Sequence, residues 1–146
     1  MRRFLAALLI LILAFILQFA LRGSLGFYSN LTLSALIAFS LSLNLPELIF
    51  LILAAVFVLN AEPAFSWDTL VFALLPVISF CLRRFFKWKP WVTCMAMIFS
   101  AFLAMYLILA PAFLWNAPAL FLGDLAAGLA FGVVALYTLR KYARDY

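Results

Sequence analysis

Histidine is absent from the 146 residues, and charge is scarce: ten Lys or Arg and five Asp or Glu make up 10% of the chain. Without imidazole there is no serine–histidine nucleophile pair, no histidine metal ligand and no side chain that ordinarily changes charge near neutral pH. With only two cysteines, Cys81 and Cys94, Cys/His zinc spacing is missing as well. The acidic residues are Glu47, Glu62, Asp68, Asp124 and Asp145. They are too few and too dispersed for a phosphotransfer site at a membrane surface. Catalysis needs positioned acids, bases, nucleophiles or metals, so these absences point away from an enzyme, and no cofactor or metal is expected.

What is abundant is hydrocarbon. Hydrophobic residues make up 71% of the sequence, against about 45–50% in a soluble domain, where charged residues reach about 25%. The reading is an all-α, polytopic membrane protein of one domain, 1–146. A net charge of +5 would suggest nucleic acid for a soluble chain. Here it reflects cations that orient the chain and meet anionic lipid headgroups, and no nucleic-acid partner is expected.

The densest cluster is Arg83-Arg84-Phe85-Phe86-Lys87-Trp88-Lys89-Pro90-Trp91. Each charge would cost roughly 2.5–3.5 kcal/mol inside a bilayer. The stretch is therefore a surface loop, cytoplasmic by the positive-inside tendency. Arg83, Arg84, Lys87, Trp88 and Lys89 are its candidates for orienting the chain and for docking anionic lipid or an acidic partner. Cys81 and Cys94 flank it on the reducing side and read as free packing thiols.

Apolar runs and turn signals give six spans: 4–21, 31–44, 45–60, 67–82, 91–109 and 119–139. The first follows Met1-Arg2-Arg3 and is interrupted only by Gln18. A cleaved signal peptide is the alternative there, but Gln18-Phe19-Ala20 is a poor cleavage site. Between the second and third runs, Asn44-Leu45-Pro46-Glu47 has the form of a capping box with proline in the first turn. One bent helix over 31–60 is the competing reading. It gives five spans and puts the Arg83 loop outside if the N-terminus is inside, so the charge bias favours the break. Ser66 is a plausible N-cap, with Asp68 in the first turn. Pro76 lies within the fourth run, and a loop through Trp115-Asn116-Ala117-Pro118 precedes the sixth. With both termini cytoplasmic, all of the ten cations except Arg22 fall inside.

Few residues offer anything beyond packing. Ser34, Ala38 and Ser42 recur every four residues, the small-xxx-small stripe by which membrane helices approach closely, with a polar groove as the alternative. Gly128 and Gly132 form a GxxxG on the side of the last span that carries Asp124. Asp124 itself reads either as a helix-start aspartate at the headgroups or as a polar site on a close helix contact, with Asp68 or Arg22 nearby. Asn60, Asp68 and Asp124 are the candidate polar site.

This order of features resembles the MreD family of the bacterial rod-shape and cell-elongation machinery. The shared layout is a basic start, a first span with glutamine near its end, a short helical hairpin and a kinked span. A basic loop of the Leu82-Arg83-Arg84-Phe85-Phe86-Lys87 kind and two final spans complete it. Many such proteins carry Gly-Leu-x-x-Asp-Leu at the end of the third span. Here the corresponding position is Leu59-Asn60-Ala61, and Asp124 stands where the family often has asparagine. The resemblance implies a non-enzymatic inner-membrane subunit that binds an MreC-like scaffold and links cytoplasmic filaments to the wall-building machinery. The fold is also similar to substrate-binding subunits of energy-coupling-factor (ECF) transporters. That implies the alternative, a subunit binding a small molecule or lipid, with Asn30, Thr32, Asn60, Glu62, Asp68, Asn116 and Asp124 available to line an outer pocket.

Overall fold

In the computed structural model, residues 2–25, 30–59 and 66–144 are described, and among them there is helix but no strand. The helices are α1 (Arg2–Leu25), α2 (Leu31–Ser40), α3 (Leu45–Leu59), α4 (Trp67–Leu82), α5 (Pro90–Leu109), α6 (Pro111–Asn116) and α7 (Pro118–Arg144). Segments of α1, α5 and α7, of 21, 20 and 25 residues, are long and apolar enough to cross a membrane; the protein is a membrane protein on that ground. The helices α2, α3 and α4 have 10, 15 and 16 residues, shorter than the ~20 that a lone span needs.

The bundle is built around α2. All ten of its residues are buried, and it packs on every other helix except α6. The reason lies in its composition. Thr32, Ser34 and Ser40 would be costly against lipid, whereas Ala35 and Ala38 let neighbouring backbones come near. Bulk is supplied by Leu33, Leu36, Ile37 and Phe39, none of which retains exposed surface. The long helices around it show the opposite pattern, with Leu9 (68% exposed) on α1 and Val134 (63%) on α7 facing outward.

Helix boundaries follow local chemistry. Asn44 N–H donates to Glu47 Oε2 at 3.2 Å, one arm of the expected capping box, so the chain breaks between α2 and α3. Ser66 Oγ accepts from Thr69 N–H at 3.4 Å and starts α4. Pro76 is buried within α4 and leaves the Phe72 carbonyl without its helical donor. Two boundaries differ from the sequence expectation. The second run leaves helical geometry after Ser40 and turns through 41–43, so Ser42 does not continue the face of Ser34 and Ala38. The expected loop before the last span is partly helical: Pro111 opens α6, and Phe113 stacks on Tyr106 at 5.4 Å, which secures that turn against α5.

Two clefts mark the ends of the bundle. One is lined by Arg3, Leu43, Pro90, Trp91, Arg140 and Lys141 among others. The other is lined by Arg22, Asn30, Leu59, Ser66, Asp68 and Ala110 among others. The first brings together the start of α1, the end of α2, the start of α5 and the end of α7. The second brings together the far ends of α1, α2 and α5 and the facing ends of α3 and α4, and the Asp124 bond to Asn30 puts the start of α7 at that end too. The six longer helices thus run alternately between a basic end and an Asn30 end.

Candidate functional site: the polar clasp on the buried helix

A helix of ten residues is about 15 Å long, half the ~30 Å hydrocarbon core of a bilayer. All ten of its residues are buried in the protein, so its end groups have little access to water, and a buried backbone group left without a partner costs about 1–3 kcal/mol. Three side chains from distant parts of the sequence meet this requirement.

At the Asn30 end, Gln18 of α1 is 4% exposed. Its Oε1 accepts from Thr32 N–H at 3.2 Å and from Thr32 Oγ1 at 2.8 Å. Asp124 of α7 is 1% exposed. Its Oδ1 accepts from Asn30 N–H at 2.7 Å, and its Oδ2 accepts from Asn30 Nδ2 at 3.3 Å and from the Tyr106 hydroxyl at 2.5 Å. Asn30 occupies the N-cap position of α2, yet its side chain makes no cap bond; it turns to Asp124 instead. A carboxyl group here also sits at the positive end of the α2 dipole. Tyr106 is held by Phe113 and by an edge contact with Phe121 at 5.1 Å, so its hydroxyl is aimed before it bonds.

At the basic end, Arg83 of the loop after α4 turns inward. Its guanidinium donates to the carbonyls of Ser40 at 2.9 Å and Leu43 at 3.1 Å and lies 3.9 Å above the Phe80 ring. A cation at a helix C-terminus complements the dipole. The α2 helix is therefore clasped by an acid at its N-terminus and a base at its C-terminus, brought from α7 and from the α4–α5 loop.

The small residues bring α7 into range. At Gly128, an added Cβ would stand 2.6 Å from Ser34 Oγ and 2.7 Å from Phe102 Cζ. At Gly132 it would collide with Ile98 Cδ1 and lie 3.5 Å from the Ser34 carbonyl. The GxxxG thus faces Ser34 on α2 and Ile98 and Phe102 on α5, and the buried Cys94 thiol points at the Gly132 carbonyl, 3.8 Å away.

The remaining candidates separate. Asp68 lines the Asn30-end cleft of about 370 Å³, with Arg22, Asn30 and Tyr106. Asp124 does not line it, although both of its partners do. Asn60 lies outside the described residues. Arg84, Lys87, Trp88 and Lys89 are exposed, with Arg84 beside the Phe85 ring and Trp88 edge-on to Phe86; Arg83 alone of the five is drawn into the bundle. Ser42 joins the basic-end cleft. Sequence reasoning gave no role to Tyr106 and none to Gln18 beyond its place in the layout of the first span. The signal for Gln18 was present: a lone amide in an apolar run is tolerated only with a partner. No group of three or more His, Cys, Asp or Glu side chains that could hold a metal occurs among the described residues.

Fold and clasp together define an all-helical membrane protein organised around a buried, side-chain-capped helix. Compared with protein-family models, with curated proteins and with solved structures, the chain matches none.

Proposed function

We propose that this chain is a six-span, non-enzymatic scaffold subunit of the MreD type in a bacterial inner membrane, with its basic end and both termini cytoplasmic. One observation carries the scaffold reading: Gln18, Asp124 and Arg83 each bond to α2 or the residues flanking it. A polar interior consumed in holding one geometry suits a rigid platform for a partner. The alternation of helices between the basic end and the Asn30 end supports six crossings, because the capped α2 can lie at membrane depth inside protein. The MreD assignment itself rests on the layout of the sequence.

The test is co-expression with the MreC-like protein encoded in the same genome, followed by purification in detergent. Stoichiometric recovery of the pair is the expected result; its absence, with the chain folded, overturns the assignment. Orientation is read separately. In a background lacking both native cysteines, Lys87→Cys should react with an impermeant maleimide only from the cytoplasmic face, and Asn116→Cys only from the other.

The cleft of about 370 Å³ favours a second reading, the ligand-binding subunit of an ECF-type transporter. Arg22, Asn30, Asp68 and Tyr106 give it mixed polarity, and it opens beside the clasp. That reading requires co-purification with ATPase subunits in place of an MreC-like partner.

A further inference from the structure

The second cleft, at the basic end, encloses about 650 Å³, well within the range of small-ligand sites. Its polar wall has one sign. Arg3 comes from the start of α1, and Arg140 and Lys141 come from the end of α7. No Asp or Glu lines it among the described residues. Ser42, from the turn after α2, contributes a hydroxyl oxygen that is buried and has no hydrogen-bond partner within the protein. The first turn of α5 enters through Pro90 and Trp91. Lys89 at its N-cap provides no side-chain bond, so the N–H groups that open this helix are available to an acceptor. The rest of the wall is apolar and aromatic: Leu136 and Leu139 are buried, while Trp91 and Tyr137 are half or more exposed at its margin.

We infer that this cleft binds the phosphate of an acidic phospholipid, with the headgroup held by Arg3, Arg140 and Lys141 and an acyl chain lying along Val133 and Tyr137. Several features select this chemistry. Three cations with no carboxylate beside them among the described residues call for an anion, and guanidinium groups match phosphate oxygens in a bidentate manner. An unpartnered hydroxyl and an open helix N-terminus add donors at the same place. The apolar lining is wasted on a soluble phosphate but matches a lipid tail, and aromatic rims are typical of the headgroup layer. The exposed cations of the loop, Arg84, Lys87 and Lys89, touch the same membrane surface but line neither cleft, which separates a built site from general surface attraction. The inference rests on the membrane orientation proposed above, which puts this end in the cytoplasmic headgroup layer. The maleimide labelling tests that orientation without reference to lipid.

The experiment measures thermal unfolding of the purified full chain in a zwitterionic detergent, with added phosphatidylglycerol, phosphatidylcholine or sn-glycerol 3-phosphate. Phosphatidylglycerol is expected to raise the midpoint and phosphatidylcholine to leave it unchanged. Neutralising each cavity cation should weaken the lipid about fivefold, so that Arg3→Gln with Arg140→Gln and Lys141→Gln loses roughly two orders of magnitude and the shift with it. Arg84→Gln with Lys87→Gln and Lys89→Gln, of equal charge change, should keep the shift. Equal loss in both triple variants, or equal stabilisation by phosphatidylcholine, overturns the inference. Equal stabilisation by glycerol phosphate overturns the lipid and leaves a soluble phosphate as the occupant.

Discussion

Replacing Asp124 with alanine should cost about 2–4 kcal/mol, and replacing it with asparagine about 1 kcal/mol or less. The carboxyl group accepts from Asn30 N–H, Asn30 Nδ2 and Tyr106 Oη. Alanine leaves the backbone donor and the hydroxyl without partners. Each such buried donor costs about 1–3 kcal/mol, and bonds between membrane helices are measured at the lower end, about 0.6 on average and 1.7 at most. The Asn30 amide can recover part of its loss, because Asn30 is only half-buried and lines the cleft. Asparagine behaves differently. Its Oδ1 keeps the Asn30 N–H, its Nδ2 donates to the Tyr106 oxygen, and the Asn30 amide can turn to offer an acceptor to the hydroxyl. The buried Cys94 thiol supplies the assay: in a Cys81→Ser background, a fluorogenic maleimide reacts with Cys94 only as the bundle opens. On soluble-domain scaling, Asp124→Ala should lower the midpoint by about 5–15 °C. Tyr106→Phe combined with Asp124→Ala should show a coupling of about 1 kcal/mol. An Asp124→Ala midpoint within 2 °C of the parent, or strictly additive double-mutant losses, would refute the clasp as a stabilising device.

The other ends of the clasp and its packing face give three further expectations in the same assay. Arg83→Gln removes the guanidinium from the Ser40 and Leu43 carbonyls and should cost about 1–3 kcal/mol, whereas Arg84→Gln, with an exposed side chain, should stay within about 0.5 kcal/mol. Gly128→Ala should cost about 1–3 kcal/mol by overpacking; Gly132→Ala should cost less, because the methyl of Ile98 can rotate away while the Phe102 ring and Ser34 at Gly128 must move together. Gln18→Leu leaves Thr32 N–H without its acceptor and should cost about 1–2 kcal/mol, with Gln18→Glu retaining most of the stability because the carbonyl oxygen of the protonated acid can take the same two donors.

Much of the fold was legible in local chemistry. The Asn44–Glu47 pair, Ser66, Pro90 and Pro118 mark helix starts because capping and proline geometry act within three or four residues. Where partners are far apart in sequence, legibility ended. Asp124 and Asn30 are 94 residues apart, and nothing in the spacing of either residue announces the other. The same holds for Arg83: a basic, aromatic-rich loop reads as uniformly surface-bound, and the inward turn of one arginine depends on where the carbonyls of α2 happen to end. The position of α2 was partly readable. Its run is the most polar of the apolar stretches, and a helix carrying Thr32, Ser34 and Ser40 has most to lose against lipid. Polarity there signals centrality, a different inference from the packing stripe that the Ser34–Ala38–Ser42 spacing suggests. The α6 turn was missed because Pro111 is equally good as a terminator and as the first residue of a new helix.

The clasp also imposes an order on biogenesis. The carboxyl group that holds the N-terminal end of α2 belongs to residue 124, and at ordinary synthesis speeds of 5–20 residues per second the 94 residues between it and Asn30 take roughly 5–20 s to make. Through that interval α2 has Gln18 beside it but neither Asp124 nor the glycine face of α7. The nascent chain must carry its most polar helix half-capped until α7 arrives, so a segment made long after α2 is the one that locks the centre of the molecule.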